Sequence, residues 1–256
     1  MSRGNDAFSD HFSGHAREYA EARPHYPDAL IDRVAVLAPA RNLAWDCGTG
    51  SGQAAVPLAR RFTRVLATDA SAEQVARAEA APGVDYRVAP EDACPTGDVG
   101  VDLVTVAQAL HWFRFDAFYA EVRRVLVPGG ALAVWTYGNS SVDAGVDALL
   151  DRFYHERVGR YWPAERRHVE TAYADIPFPF AGGAREDFPM TQTWTRERYV
   201  AYVATWSATA RARKLEGVDP LPELERALDV VWPADAPARF VTWPVKLLWG
   251  RKGGEA

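Results

Sequence analysis

The chain has 256 residues and is poor in sulfur, with two cysteines, Cys47 and Cys94, and two methionines. The cysteines form no CxxC pair and no zinc-ligand spacing, which excludes a disulfide scaffold and fits reduced, buried thiols in a cytoplasmic protein. No apolar run approaches the ~20 residues of a membrane span, and residues Met1 to Ala22 lack the apolar core of a signal peptide. Basic residues are not in excess: 29 Lys and Arg against 34 Asp and Glu give a net charge of -5, which disfavours a nucleic-acid partner. The short run Arg211-Ala212-Arg213-Lys214 reads as a solvated helix face. There is no G-x-S-x-G elbow, no H-E-x-x-H helix and no metal spacing among the six histidines, so no metal site is expected. A hydrophobic share of 48% is ample for a core, and the length suits one α/β domain with insertions.

What is present centres on Leu43-Ala44-Trp45-Asp46-Cys47-Gly48-Thr49-Gly50-Ser51-Gly52-Gln53. A short apolar strand ends in an acid, glycines alternate with small residues, and a helical pattern follows. Such a backbone turns sharply, lets a ligand lie against its amides, and aims a helix N-terminus at it. A dinucleotide fingerprint, G-x-G-x-x-G, would need glycine at position 53, where Gln53 stands. A P-loop would need Gly-Lys-Ser/Thr, which does not follow. The carboxylate of Asp46 would repel a pyrophosphate above it. It suits a cofactor bearing an ammonium or a sulfonium, and S-adenosylmethionine (SAM) bears both.

From Leu43 onward strand, loop and helix alternate. Strands are expected at Leu43–Cys47, Val65–Asp69, Val84–Val88, Asp102–Ala107 and Ala131–Tyr137. Helices are expected from Ala29 to about Leu37, with Asp28 as N-cap, from Gln53 to about Arg61, from Ala72 to about Ala80, and from Phe115 to Val127. Such alternation predicts a mostly parallel sheet with right-handed crossovers and helices on both faces. After Gly138 the pattern loosens. Asp143 to about Arg157 reads as a helix, and Tyr161–Gly183 is rich in aromatics and proline, as a cap or acceptor pocket would be. A sixth strand is expected near Arg185–Met190, helices over Thr195–Thr209 and Leu221–Val231, and a closing strand over Arg239–Arg251. The organisation expected is a lid segment (1–27), a cofactor-binding α/β core (28–138), a helical insertion with the sixth strand (139–238), and a closing strand and tail (239–256).

Asp69 ends the second strand about twenty residues past the glycine loop, where α/β cofactor domains place a carboxylate on the ribose hydroxyls. The competing role of helix N-cap falls to Ser71. Ala89-Pro90-Glu91-Asp92 follows the third strand, where an adenine edge would lie, so Glu91 or Asp92 is expected near the base, with a plain acidic turn as the alternative. Gln108-Ala109-Leu110-His111-Trp112-Phe113 ends the fourth strand, at the sheet edge where ligands bind. His111 is the candidate general base there, or else a packing residue, and Trp112 and Phe113 the wall that excludes water. Tyr19, Arg23 and Tyr26 form an N-terminal set that could hold a carboxylate of cofactor or acceptor, or merely dock the tail.

With these residues in hand, the chain resembles the class I SAM-dependent methyltransferases of the type 11 group, from about Phe12 to Tyr137. Tyr19-Ala20-x-x-Arg23-Pro24-x-Tyr26-Pro27 and Val106-Ala107-Gln108-Ala109-Leu110-His111-Trp112-Phe113 resemble the trans-aconitate methyltransferase-like branch. The resemblance implies a seven-stranded Rossmann-like sheet with one antiparallel strand. It also implies cofactor roles for Asp46, Gly48, Gly50, Asp69 and Gln108, with S-adenosylhomocysteine as the product left behind. Ala89 stands where many relatives carry an acid near the adenine, which moves the expectation to Glu91. The activity expected is methyl transfer to an oxygen, carboxylate or hydroxyl, of a small molecule, by a monomer or homodimer. A nicotinamide-dependent oxidoreductase and a non-catalytic SAM-binding protein are the alternatives.

Overall fold

The parity of side chains along the inner strands organises the molecule. In the fourth strand Leu103 faces one side of the sheet and Val104 and Val106 the other; in the fifth, Ala131, Ala133 and Trp135 oppose Leu132 and Val134. All of them are buried, so both faces must be covered, which is the arrangement that parallel sheets adopt. In the computed structural model, which describes residues 23–180 and 183–253, two apolar cores lie on either side of one sheet.

The strands are β1 (Leu43–Cys47), β2 (Arg64–Asp69), β3 (Val84–Val88), β4 (Val101–Ala107), β5 (Leu126–Tyr137), β6 (Ala184–Trp194) and β7 (Arg239–Arg251). Their order is β3-β2-β1-β4-β5-β7-β6, with β7 antiparallel to both neighbours and the other adjacent pairs parallel. The chain therefore turns outward in opposite directions from β1 and β4, and the crevice at their carboxyl ends is the natural ligand site of such a sheet.

Helices α1 (Asp28–Ala35), α2 (Ala55–Leu58), α3 (Ala72–Ala76) and α4 (Phe115–Val125) belong to the βα units. Then come α5 (Ala144–Arg152), α6 (Arg166–Glu170), α7 (Arg196–Ala204), α8 (Ser207–Glu216) and α9 (Leu221–Val231). Phe118, Val122 and Val125 of α4 press on Trp45, Val104 and Leu132 on one face. Leu30, Ile31 and Val34 of α1 join the other core. Each such side chain contributes ~1.5–3 kcal/mol through its removal from water.

Several boundaries differ from the expected ones, each for a local reason. Pro27, extended at φ -67 and ψ 143, stands at the N-cap of α1; Asp28 sits in the first turn and pairs instead with Arg61 at 2.7 Å. The helix expected over 53–61 shortens to α2 and continues as turns, because Pro57 supplies no amide to the ladder. Strand β5 begins five residues early: Val101 pairs with Leu126 and Leu103 with Ala131, so Val127 to Gly130 form a bulge, with Gly129 at φ 77. The helix expected over 195–209 is broken between α7 and α8, where Trp206 adopts ψ 136 and turns into a cluster with Tyr154, Trp162 and Tyr202. Strand β6 runs longer than expected, paired with β7 along its length.

Candidate functional site

The loop after β1 is folded by its own amides. Gly48 and Thr49 both donate to the Thr68 carbonyl, at 2.8 and 2.9 Å, which bends the chain over β2. Gly48 has φ 69, and a Cβ there would lie 2.8 Å from the Cβ of Ala109. Gly52 has φ 91, and a Cβ would lie 2.2 Å from the Tyr86 hydroxyl. That hydroxyl is itself held, donating to the Glu79 carbonyl at 2.9 Å, so the loop closes only with glycine at these points.

Asp69 pins the open side of the loop. Its Oδ2 accepts from the Gly50 amide and its Oδ1 from the Ser71 amide, each at 2.9 Å. Ser71 in turn caps α3 through the Gln74 amide. A carboxylate oxygen accepts more than one hydrogen bond, so Asp69 can serve both the loop and the hydroxyls of a ligand.

Asp46 is placed differently from the expectation of a charge facing the ligand. It lies beneath the loop, fully buried, with Oδ2 accepting from Thr49 Oγ1 and Oδ1 from Thr105 Oγ1, both at 2.7 Å. Side-chain parity puts it on the covered face of β1, opposite its register partner Thr105 on β4. It therefore anchors the loop from below and does not line the cleft above it. Burial, against the help of the two threonines, pushes its pKa up to about 6. The folded chain thus keeps this proton up to about pH 6, while the unfolded chain releases it near 3.8. Stability from this group is present in acid and lost as pH rises through about 6, by roughly 3 kcal/mol in all. In chemical denaturation at a series of pH values, Asp46→Asn should gain about that much relative to the wild type between about pH 4 and 7. A difference independent of pH would contradict an ionisable carboxyl sealed beneath the loop.

A cleft of about 160 Å³ opens above the loop, lined by Gly48, Gly50, Asp69, Ala89, Glu91 and Gln108, together with Arg23, Tyr26, Gln53, Gln74, Trp112 and Phe113. Of the acidic turn, Glu91 reaches the cleft and accepts from Arg114 Nε at 3.2 Å, whereas Asp92 pairs with Arg114 and is not among the lining residues. Gln108 holds φ 57 and uses its side chain as an extra rung of the sheet: Oε1 accepts from the Tyr137 amide at 2.9 Å, and Nε2 donates to the Tyr137 carbonyl at 3.1 Å. Tyr26 stacks edge-on against Trp135, and burial raises its pKa well above the ordinary phenol range. Arg23 donates to the Tyr137 hydroxyl at 3.2 Å and to the Thr205 carbonyl at 3.3 Å, joining the chain before α1 to the end of α7. Tyr19 lies outside the described residues.

Next to the cleft, and sharing Arg23, Gln108, Trp112 and Tyr137 with it, is a cavity of about 70 Å³. Its other walls include His111, Trp162, Arg166, Tyr202 and Trp206. His111 is buried, and Nδ1 lies 2.9 Å from the Tyr173 hydroxyl. Burial, then the charges of Arg166, His168 and Arg23, lowers its pKa to about 3, so the imidazole is neutral near pH 7. Among the described residues Arg166 donates only to neutral groups, Tyr154 Oη at 2.9 Å and Asn139 Oδ1 at 3.1 Å, and lies 4.6 Å over the Trp162 ring. No carboxylate lines this cavity among the described residues.

Sequence reasoning brought together the loop, Asp69, Glu91, Gln108, His111, Arg23 and Tyr26, but did not single out Arg166, Tyr173, Gln53 or Gln74. The only signal for the first two was the aromatic density of the 161–183 segment; Gln53 closes the glycine motif and was read only as the residue that breaks a dinucleotide fingerprint, and Gln74 carried no signal. Among the described residues no helix is long and apolar enough to cross a membrane, and no group of three or more His, Cys, Asp and Glu could hold a metal ion.

Comparison with known proteins fixes the family. Residues 45–134 match the family model described as a methyltransferase domain. A Dictyostelium discoideum protein named as a methyltransferase is 32% identical over 252 residues, covering 96% of each chain. The chain belongs to the class I SAM-dependent methyltransferases. A Mycobacterium tuberculosis protein, named as an uncharacterized methyltransferase, is 31% identical over 218 residues, covering 82% of this methyltransferase and 84% of that protein. A solved structure from Anaeromyxobacter dehalogenans, described as a type II methyltransferase, superposes with a TM-score of 0.82 at 42% identity, covering 91% of this chain and 99% of the other. A fold neighbour at 14% identity and TM-score 0.50, a Haemonchus contortus phosphoethanolamine N-methyltransferase, covers 93% of this chain and is 57% covered in turn; it was solved with S-adenosylhomocysteine. These relatives span the methyltransferase family broadly and do not single out the trans-aconitate methyltransferase-like branch. They leave the nicotinamide-dependent alternative without support.

Proposed function

We propose that this methyltransferase binds SAM in the 160 Å³ cleft and methylates an oxygen, carboxylate or hydroxyl, of a small anionic molecule held in the adjoining 70 Å³ cavity. The residues of the cleft fit the cofactor. Two enclosed polar atoms on its wall, the donor Gln53 Nε2 and the acceptor Gln74 Oε1, have no hydrogen-bond partner among the described residues and are suited to a ligand rich in donors and acceptors. Asp69 would accept from ribose hydroxyls, Ala89 and Glu91 would border the adenine, and Arg23 and the loop amides would meet the amino-acid end. When bound, SAM supplies a methyl group on a positively charged sulfur, open to displacement by a nucleophile.

The protein's task is then alignment and the exclusion of water, worth ~7–11 kcal/mol when the reactants are held in line. Trp112, Trp162 and Trp206 wall the acceptor side from solvent. The observation that carries the acceptor class is Arg166. Its guanidinium stands in an aromatic cavity with no carboxylate partner among the described residues, and so it favours an anion. The reading places the protein in the cytoplasm as a monomer or homodimer, without nucleic-acid or membrane partners.

The test is a screen with radiolabelled methyl-SAM against small organic acids, hydroxy acids and phenols, with neutral and cationic compounds as controls. Label transferred to anions and suppressed by S-adenosylhomocysteine is the expected result. Transfer to cations alone would overturn the acceptor class, and label retained by no acceptor would favour a non-catalytic SAM-binding protein.

A further inference from the structure

Tyr154 stands one layer behind the smaller cavity and touches three of its walls. Its ring lies 4.7 Å from that of Trp162 and 5.7 Å from that of Trp206, and its hydroxyl accepts from Arg166 Nε at 2.9 Å. Tyr154 itself is buried and is not a lining residue. A π-helical turn, Phe153–Arg157, extends α5 and places it there. In that turn the Val158 amide donates to the Phe153 carbonyl at 3.0 Å, whereas an α-helix would send it to the carbonyl of Tyr154. The Tyr154 carbonyl takes Trp162 Nε1 at 3.4 Å instead. Ring, carbonyl and hydroxyl of one residue thus fix the wall that faces the acceptor.

The hydroxyl also separates two charges that would otherwise meet. Arg166 and Glu170 stand at i and i+4 on α6, the spacing at which a helix pairs a cation with an anion directly. Here the phenol lies between them, donating to Glu170 Oε1 at 2.6 Å and accepting from Arg166 Nε at 2.9 Å. These roles cannot be exchanged, because a guanidinium has no lone pair to offer and a phenol has one hydrogen to give. Burial, opposed by the Arg166 charge and supported by the Glu170 contact, pushes the phenol pKa up to about 12, so the bridge is neutral near pH 7. On its other side Arg166 Nη2 donates to Asn139 Oδ1 at 3.1 Å. The Nη1 hydrogens have no partner among the described residues.

We infer that Tyr154 is a positioning residue: by holding Glu170 on the far side of a phenol, it leaves the Arg166 charge available to the anionic group of the acceptor, which binds at the Nη1 end and not beside Nε. A carboxylate lying directly on Arg166 would cancel the charge and occupy the fork that an anion needs. Without the hydroxyl, the Arg166–Glu170 pair can close as helix spacing favours. A change behind the cavity should then disable Arg166 while every lining residue stays the same. This inference rests on the cavity being the acceptor site.

The test is nitrogen NMR of the arginine Nε–H groups, with Arg166→Gln for assignment, and it needs neither SAM nor a known acceptor. Tyr154→Phe keeps the ring contacts and removes only the hydroxyl. It should move the Arg166 signal, and adding Glu170→Gln should move it again, while the other arginine signals stay in place and show an intact fold. An Arg166 signal unmoved by Tyr154→Phe would overturn the inference. Acetate, with acetamide as the neutral control, is then titrated at constant ionic strength. Acetate should perturb Arg166 in the wild type and bind roughly tenfold more weakly in Tyr154→Phe. The double variant Tyr154→Phe with Glu170→Gln should recover most of that affinity, because the competing carboxylate is gone. Equal affinity in wild type and Tyr154→Phe, or no recovery in the double variant, would reduce the phenol to a packing contact and overturn its role. In turnover of an acid found by the screen, Tyr154→Phe should raise KM in step with the acetate loss and change kcat little. Acetate without effect on Arg166 in the wild type would overturn the reading of the cavity itself, a failure told apart because it involves no change at the phenol.

Discussion

Asp69→Ala should weaken the binding of S-adenosylhomocysteine by about a hundredfold, the largest effect expected from one substitution in the cofactor cleft. The carboxylate holds two loop amides, those of Gly50 and Ser71, at 2.9 Å each, and lines the cleft, where the ribose hydroxyls of the proposed cofactor would meet it. Hydrogen bonds to a charged group contribute ~1.5–3 kcal/mol each, and ~3 kcal/mol corresponds to a hundredfold. Asp69→Asn retains one acceptor atom and should lose roughly tenfold. Calorimetric titration of the variants gives both numbers. Affinity in Asp69→Ala within a few-fold of the wild type would mean that the ribose lies elsewhere.

A second large effect is expected on the acceptor side. Arg166→Gln should raise the acceptor KM by roughly thirty- to a hundredfold, the ~2–3 kcal/mol of a charge-assisted contact, while leaving S-adenosylhomocysteine affinity unchanged. Arg166 lines the smaller cavity and not the cleft, so a change there should spare the proposed cofactor site. Glutamine can keep a hydrogen bond to Tyr154 or Asn139, which limits collapse of the cap. Steady-state kinetics, paired with a binding titration, separates the outcomes. An unaltered KM would remove the anion from this position, and a parallel loss of cofactor affinity would show that the substitution disturbs the whole cleft.

Much of this arrangement can be read from local pattern, because local pattern is what forms it. The glycine loop is legible since positive φ and close packing at Gly48 and Gly52 are backbone demands that few residues meet. The inner strands are legible since burial on both faces leaves long apolar runs. The orientation of Asp46 was legible in principle: Ala44 and Leu103 share a face, and Asp46 and Thr105 follow them two residues on. The pull of its charge toward a cationic ligand hid that parity.

The acceptor side resists the sequence for a different reason. Tyr173 meets His111 across 62 residues, Arg23 meets the end of α7 across 182, and neither contact follows a helical or strand period. The break at Trp206 has the same origin, since an aromatic cluster outweighs the helical propensity of the residues around it. The long-range packing around the smaller cavity leaves only a compositional trace in the 161–183 segment.

The most direct test of the account is calorimetry of the wild-type protein with S-adenosylhomocysteine, run beside NADH. One molecule of S-adenosylhomocysteine bound per chain, with no heat from NADH, is the result expected of a cleft bordered by Asp69 and the glycine loop. No binding of S-adenosylhomocysteine, or competition for the same site by NADH, would contradict it.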